Sequence, residues 1–413
     1  SDFLLERKLW EQTSESFKQH AEQRVGFSSR WNFIHSRETA PHSWVTHILF
    51  SQAQIAWHFW RRYQFTQDTD WLRQRAYPML KGVAEFYRTY PNLKKGDDGL
   101  YHIHSVNNGE GLWGGQDTNR ELSAMMGIFP TAIRAAEILD VDPELRHKWQ
   151  QVLDNLAPLP TSKHPDAAFP ARTRDAAVWT PGLKPLKHTN WPRPGFQPIT
   201  HFDLVTLESP PSTLTHTAAE TYRAFKKPIS HSDNPAAVHL LTFAGITAAN
   251  MGDAETVREI ILPQVTREGV DPKKVLPNRM TMEEGRQAQT IEHLGIGART
   301  LQLALCQSRA PQPGKEPVIR VFPAWPADWD ADFSLLCRGG FLVRGVHQDG
   351  APRLVQVTST LGGTLKLRNP WTTTPVQVWH HGQPQQLAPA ALIDMDTKKG
   401  DVITISPVST TGK

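Results

Sequence analysis

The sequence predicts a mainly α protein: a ring of paired helices, or helical toroid, followed by a C-terminal antiparallel β-sandwich. Three observations predict it. Residues 1–314 carry nine stretches of helical periodicity, with long Pro-rich loops among them. From about Lys315 the period changes to two. The helical stretches follow one another through connections too short for parallel-sheet crossovers, so antiparallel helix pairs are the natural packing.

The elements follow in order. Residues 3–22 alternate apolar and charged positions at helical spacing. SWVTHILFSQAQIAWHFWRRY, residues 43–63, is apolar almost all round, as a helix buried on several sides must be. Asp68 or Asp70 caps the next helix, WLRQRAYPMLKGVAEFY, in which Pro78 is tolerated only at a kink or an early turn. Further helical patterns run over 117–139, 142–156, 213–226, 235–250, 253–263 and 286–308. Residues 157–212 hold no period and are rich in Pro, Thr, His and Trp; so long an irregular stretch in a compact domain is expected to pack across a site. VIRVFPAW, FLVRGV, RLVQVTS, TLKLRN and VQVWHHG then alternate apolar and polar residues between Gly, Asp and Pro turns. The expected division is a toroid over 1–314 and a β-sandwich over 315–413, with strands confined to the second.

Composition narrows the function. The chain of 413 residues has a net charge of +4 and no long Lys/Arg block, so nucleic acid is not an expected partner. No run of 18 apolar residues predicts a membrane span. Two cysteines, Cys306 and Cys337, exclude a disulfide scaffold or a Cys-rich zinc site, and two buried free thiols are favoured over a bridge. No cofactor or metal is expected. The chain opens on SDFLLERKLW without a leader, and a secreted or periplasmic location is the expectation. Fourteen tryptophans against six tyrosines is a heavy indole load; stacking on sugar rings and filling a large helical core both account for it.

Candidate chemistry therefore lies with carboxylates in polar loops. HIHSVNNGEGLWGGQDTNREL, residues 102–122, gathers His102, His104, Asn107, Asn108, Glu110, Trp113 and Asp117 among four glycines. A carboxyl group between amides and an indole suits a glycosidic general acid, and Glu110 is the candidate. Asp117 reads equally well as a helix cap. In QTIEHLG, Glu292 and His293 open an apolar helix, where the dipole keeps a carboxylate ionised, as a base requires. First-turn capping charge explains Glu292 as well. THFD, residues 200–203, places His201 beside an Asp, and WNFIHSRETAPHSW, residues 31–44, offers His35. The substrate contacts expected around the two carboxylates are His35, Asn107, Asn108, Trp113, His201 and His293.

Taken in order, these segments resemble the α-L-fucosidases of glycoside hydrolase family 95, which also holds α-L-galactosidases. QTIEHLG stands where the family has a QIDGNFG-like motif. It leads into a helix ending LALCQS, then VIRVFPAWPADW, CRGGFLV and an Asp-Gly turn at 349–350. SQAQIAWHFWRRYQFTQDTDWLRQRAYPMLKGVAEFY and ELSAMMGIFPTAIRAAEIL are also similar to the family. The resemblance implies an (α/α)6 barrel with a C-terminal β domain, and hydrolysis with inversion. It places the general acid on Glu110 and the base-side carboxylate on Glu292, where the family has Asp. It makes His35 and His201 substrate contacts. The family's water-activating pair of Asn residues has no counterpart before Phe33, and nine helical patterns fall short of the twelve of a closed ring.

Two consequences are expected. Residues 1–65, centred on Trp44, Ile48, Trp57 and Phe59, should present an apolar surface covered by an N-terminal segment or by a second copy. Carbohydrate is the expected substrate. A polysaccharide lyase using Tyr101, His102, His104 and Asn107, or a carbohydrate-binding protein without turnover, are the alternatives.

Overall fold

The computed structural model describes residues 30–31, 39–40, 49–109, 112–168, 176–184, 187–188, 195–226, 243–266, 291–371, 374–387 and 391–408. Helix α1, Phe50–Thr66, ends on Gln67 in the left-handed region. Two residues later α2 begins, with Asp68 Oδ1 accepting from Trp71 N at 2.9 Å, so Asp68 rather than Asp70 is the cap. So short a link makes α1 and α2 an antiparallel hairpin. α2 runs through Thr69–Trp71, a π-helical turn at Leu72–Ala76, and Tyr77–Arg88. Pro78 donates no hydrogen bond and crowds the carbonyl four residues back. The wider π turn lies just before it and absorbs the misfit.

Helix α3, Asn119–Leu139, is long and apolar enough to cross a membrane by composition alone, yet its apolar residues pack here against protein. With α4, Pro143–Asp154, it completes a core that includes Trp60, Leu80, Tyr87, Phe129 and Trp149. Trp149 is fully buried, and its indole N–H donates to Glu85 Oε1 at 2.6 Å. A second core joins α7, Ala244–Asn250, α8, Ala254–Thr266, and α9, Ile291–Leu305, through Ile246, Val257, Ile260, Ile296 and Leu303. Between the two groups lie a short α5, Gln197–Thr200, and α6, Thr213–Phe225; Ser212 and Thr215 cap α6 reciprocally.

The expected absence of strands before residue 314 is corrected. Three two-stranded antiparallel ribbons decorate the helical half: β1 (Arg30–Trp31) with β2 (Thr39–Ala40), β3 (Leu93–Lys95) with β4 (Tyr101–Ile103), and β5 (Leu112–Trp113) with β6 (Lys187–His188). The C-terminal sheet also starts early. The periodicity over 286–308 stops being helical at Leu305, and Cys306–Arg309 form β7. They pair with β8, Val318–Val321, which satisfies their backbone as a further helical turn would have done.

The β domain has two sheets. One holds β15 (Leu392–Thr397), β12 (Gly363–Arg368), β8 and β7 in that order. The other runs β14 (Gln383–Leu387), β13 (Val376–His380), β16 (Val402–Pro407), β11 (Ala351–Ser359), β10 (Phe341–Gln348) and β9 (Ala331–Cys337). Ile319 and Leu367 from the first sheet share a core with Val343, Val355, Val357 and Ile405 from the second, which makes the pair a sandwich. All pairings are antiparallel except β8 with β12, where Ile319 meets Leu367 in parallel register. Cys306 and Cys337 are buried free thiols, their sulfurs 3.4 Å apart.

A strap over residues 203–209 ties the halves together. Asp203 binds Arg309 and Arg338; Thr206 Oγ1 donates to Ala310 O at 2.9 Å; Glu208 accepts from Arg320 and Arg368; and Ser209 Oγ donates to Pro311 O at 2.8 Å. Trp57 and Phe59 do not form the expected exposed surface. Trp57 is buried against Phe202 and His201, and Phe59 stacks on Trp71 at 5.3 Å. Trp44 and Ile48 lie outside the described residues.

Candidate active site

The Gly-rich loop is built by its own polar residues. Val106 and Gly115 exchange backbone hydrogen bonds, and Asn108 N donates to Leu112 O at 2.9 Å. Asn107 is fully buried, and its Oδ1 accepts from Gly114 N at 3.0 Å. Asn108 Oδ1 accepts from Arg120 N at 3.1 Å, so the loop caps the N-terminus of α3. Asp117, one of the two readings of which was a cap, does something else. With φ at +49° it turns its carboxylate back to Ile103 N, at 2.9 Å, and to His102 Nδ1, at 2.6 Å. Burial opposes ionisation of His102, but the hydrogen bond and charge of Asp117, then those of Asp98, outweigh it and raise the His102 pKa.

Gly109 has φ at +76°, and a Cβ there would meet the Arg120 guanidinium at about 3.1 Å. That cation therefore lies against the backbone at Gly109.

α3 also positions His201. Gly195 comes so close to Asn119 that a Cβ would fall 2.2 Å from its side chain, and at Gly127 the ring of Phe202 occupies the space a Cβ would need. The segment 195–202 is thus laid along α3 from its first residue to a point ~12 Å further on. His201 is held edge-on to Phe50, with ring centres 5.2 Å apart, and its Nδ1 meets Thr200 Oγ1 at 2.8 Å. Burial, then the charge of Arg120, pushes its pKa down to about 3, so the imidazole is neutral across the working range.

Residues 5–166 match the family model for the glycosyl hydrolase family 95 catalytic domain. The matched stretch contains α1 to α4 and the Gly-rich segment that includes Glu110. Among curated proteins no match was found. Of solved structures, a chain described as a kojibiose phosphorylase from the human microbiome is 9% identical with a TM-score of 0.47, covering 93% of this chain and 50% of that one. A Streptomyces avermitilis α-L-rhamnosidase complexed with L-rhamnose is 12% identical with a TM-score of 0.42, covering 86% of this chain and 32% of that one. The chain thus spans half the length of the first and about a third of the second.

The remaining sequence candidates are distributed as follows. Glu110 and His35 lie outside the described residues, although Glu110 is bracketed by Gly109 and Leu112. Trp113 is in β5, its backbone paired with Lys187. Glu292 and His293 are the second and third residues of α9, the helix-start position expected for them, and their side chains are not described. Asn107, Asn108 and His201 are brought to opposite ends of the contact between α3 and the 195–202 segment.

Sequence reasoning missed one buried carboxylate and read another only as a neighbour of His201. Glu121 is fully buried in the first turn of α3; it accepts from Phe50 N at 3.0 Å and from Tyr87 Oη at 2.6 Å, anchoring the start of α1. Burial raises its pKa to about 7, with the Tyr87 and Phe50 hydrogen bonds opposing. Asp203 is the other: burial would raise it, but Arg338 and Arg309 hold it well below the usual carboxylate range. Among the described residues, His380, His381 and Asp401 are the group that could hold a metal ion; both imidazoles already meet the Asp401 carboxylate, at 3.0 and 3.5 Å.

Proposed function

We propose that this chain is an inverting, exo-acting glycoside hydrolase on oligo- or polysaccharide, of the α-L-fucosidase or α-L-galactosidase type. The observation that carries the reading is the family 95 catalytic-domain match over residues 5–166, which spans the loop that presents Glu110. Glu110 is the general acid, protonating the departing glycosidic oxygen. Glu292, at the start of α9, is the base-side carboxylate that receives the proton of the attacking water. Inversion requires the two carboxyl groups about 6.5–9.5 Å apart, with water between the base and the sugar. His35, Trp113, His201 and His293 contact the sugar. Asn107 and Asn108 act through the loop, since both carboxamide oxygens accept from backbone N–H groups. The neutral imidazole of His201 suits a hydrogen bond to a sugar hydroxyl rather than an ion pair.

The lyase reading finds less support. The His102 ring is engaged on both nitrogens, by Asp117 and by Asp98 at 3.1 Å, and Asn107 is fully buried. A secreted or periplasmic location belongs to the same proposal, and cell fractionation tests it. The activity is tested with 4-nitrophenyl α-L-fucoside and α-L-galactoside and the matching oligosaccharides, following the first-formed anomer by NMR. Release of the β-anomer is expected. Release of the α-anomer, or an unsaturated product, overturns the mechanism.

A further inference from the structure

A cavity of about 380 Å³ lies between α1, α9, the strap and the β domain. Its walls bring together Arg61 of α1, Arg299 of α9, Arg309 of β7 and Arg338, which follows β9. Among the described residues, the one carboxylate in the lining is Asp203. It accepts from Arg309 Nε at 2.9 Å and from Arg338 Nη1.

Four guanidinium groups against one carboxylate leave the cavity strongly positive. Arg309 is buried to 6% exposure, yet among the described residues its Nη1 and Nη2 have no hydrogen-bond partner, and the buried Nε of Arg61 has none either. Buried, unpaired donors on a cation are among the costliest groups a fold can carry. The two histidines of the lining, His58 and His201, are not a further source of positive charge. Burial first, and the neighbouring cations second, keep both pKa values low. The repulsion is felt by the arginines too. Burial first, and the other guanidinium charges second, bring Arg61 down to about 9 and Arg299 down to about 10.

We infer that this cavity binds a small oxyanion, the carboxylate of an acidic sugar or free phosphate, on the unpaired donors of Arg61 and Arg309, with the Arg299 guanidinium beside them in the lining. Guanidinium is the side chain whose donor fork matches carboxylate and phosphate oxygens. Arg338 and the Nε of Arg309 are already committed to Asp203, which leaves the Arg309 fork aimed by a fixed partner. Arg61 and Arg299 close the site from two different helices. His201, proposed above as a sugar contact, is also in the lining, but anion binding is read without turnover and does not depend on the activity proposed for Glu110.

The test uses the full chain, in scanning fluorimetry and titration calorimetry against sodium phosphate, galacturonate and neutral galactose, with sodium chloride at matched ionic strength. Phosphate or galacturonate should raise the unfolding midpoint above the chloride control, and Arg61→Gln and Arg299→Gln should each weaken binding about ten-fold or more. Binding of phosphate alone assigns the site to the free ion; tighter binding of galacturonate than of both phosphate and galactose assigns it to an acidic sugar. Arg309→Met also breaks the pair with Asp203 and can fail to fold, so the two glutamine variants decide. They should be at least as stable as the parent without anion, because each removes a repelled charge. No midpoint shift with either anion, or undiminished binding in both variants, overturns the inference. So does a loss of stability in both variants without anion, since the guanidinium groups would then already be satisfied within the fold.

Discussion

Glu110 and Glu121 stand eleven positions apart in the sequence and have different tasks. For Glu110, in the Gly-rich segment, Glu110→Gln should lower turnover of unactivated glycosides by about 10²–10⁴, the usual loss when general-acid help is removed. Aryl substrates with good leaving groups should lose much less. Equal activity on a natural oligosaccharide would take Glu110 out of the mechanism. Glu121 acts on stability. Its carboxyl keeps a proton to about pH 7 when folded and releases it near 4.5 when unfolded. The folded state therefore binds more protons between those values. The associated stability is full below pH 4.5 and is lost as the pH rises through 7, a change on the order of 3 kcal/mol. Glu121→Gln keeps an acceptor for Phe50 N and carries no charge at any pH. Denaturant titrations from pH 4.5 to 7.5 should show the parent declining relative to this variant, and parallel profiles would count against a buried, protonatable carboxyl. Glu121 was not legible in the sequence, and Asp203 was legible only as a polar neighbour of His201 in THFD, because the partners that hold them are up to 135 residues away.

At the scale of elements, helical periodicity located every α segment from Phe50 onward except the four-residue α5, since burial of one face writes itself into the spacing of apolar residues. The end of α9 escaped it. LALCQSR continues an apolar pattern, and only the distant partner β8 decides that Cys306–Arg309 extend as strand. Short ribbons such as β3/β4 escaped for the same reason, being fixed by pairing rather than period. Gly127 offers a sharper test of element packing. An alanine inside a helix ordinarily gains up to ~1 kcal/mol over glycine. Here the added Cβ would lie 2.3 Å from Phe202, so Gly127→Ala should instead cost about 1–3 kcal/mol by overpacking. Chemical denaturation reads the sign directly, and a stabilised variant would mean that Phe202 is free to move away.

On the scale of the whole molecule, a boundary at 314/315 suits the change of sequence pattern, while the polar links cross it. The strap reaches across it from Asp203 to Arg338, and from Glu208 to Arg320 of β8 and Arg368 of β12. Asp203→Asn leaves the buried Arg309 and Arg338 without their counter-charge, and should cost about 3–5 kcal/mol. Calorimetry of the parent should give one cooperative transition. The variant should unfold at lower temperature, and an unchanged midpoint would show that the strap carries no share of the stability.

The strap also constrains how such a chain can change over generations. A recombination event that exchanged everything after Leu305 for an unrelated sandwich would strand Asp203 against a foreign surface, two residues from His201. A buried carboxylate stripped of both its hydrogen-bonded arginines would be the first defect that selection met. The helical half and its sandwich are therefore inherited as a pair, and the seam between them is a poor place for a crossover.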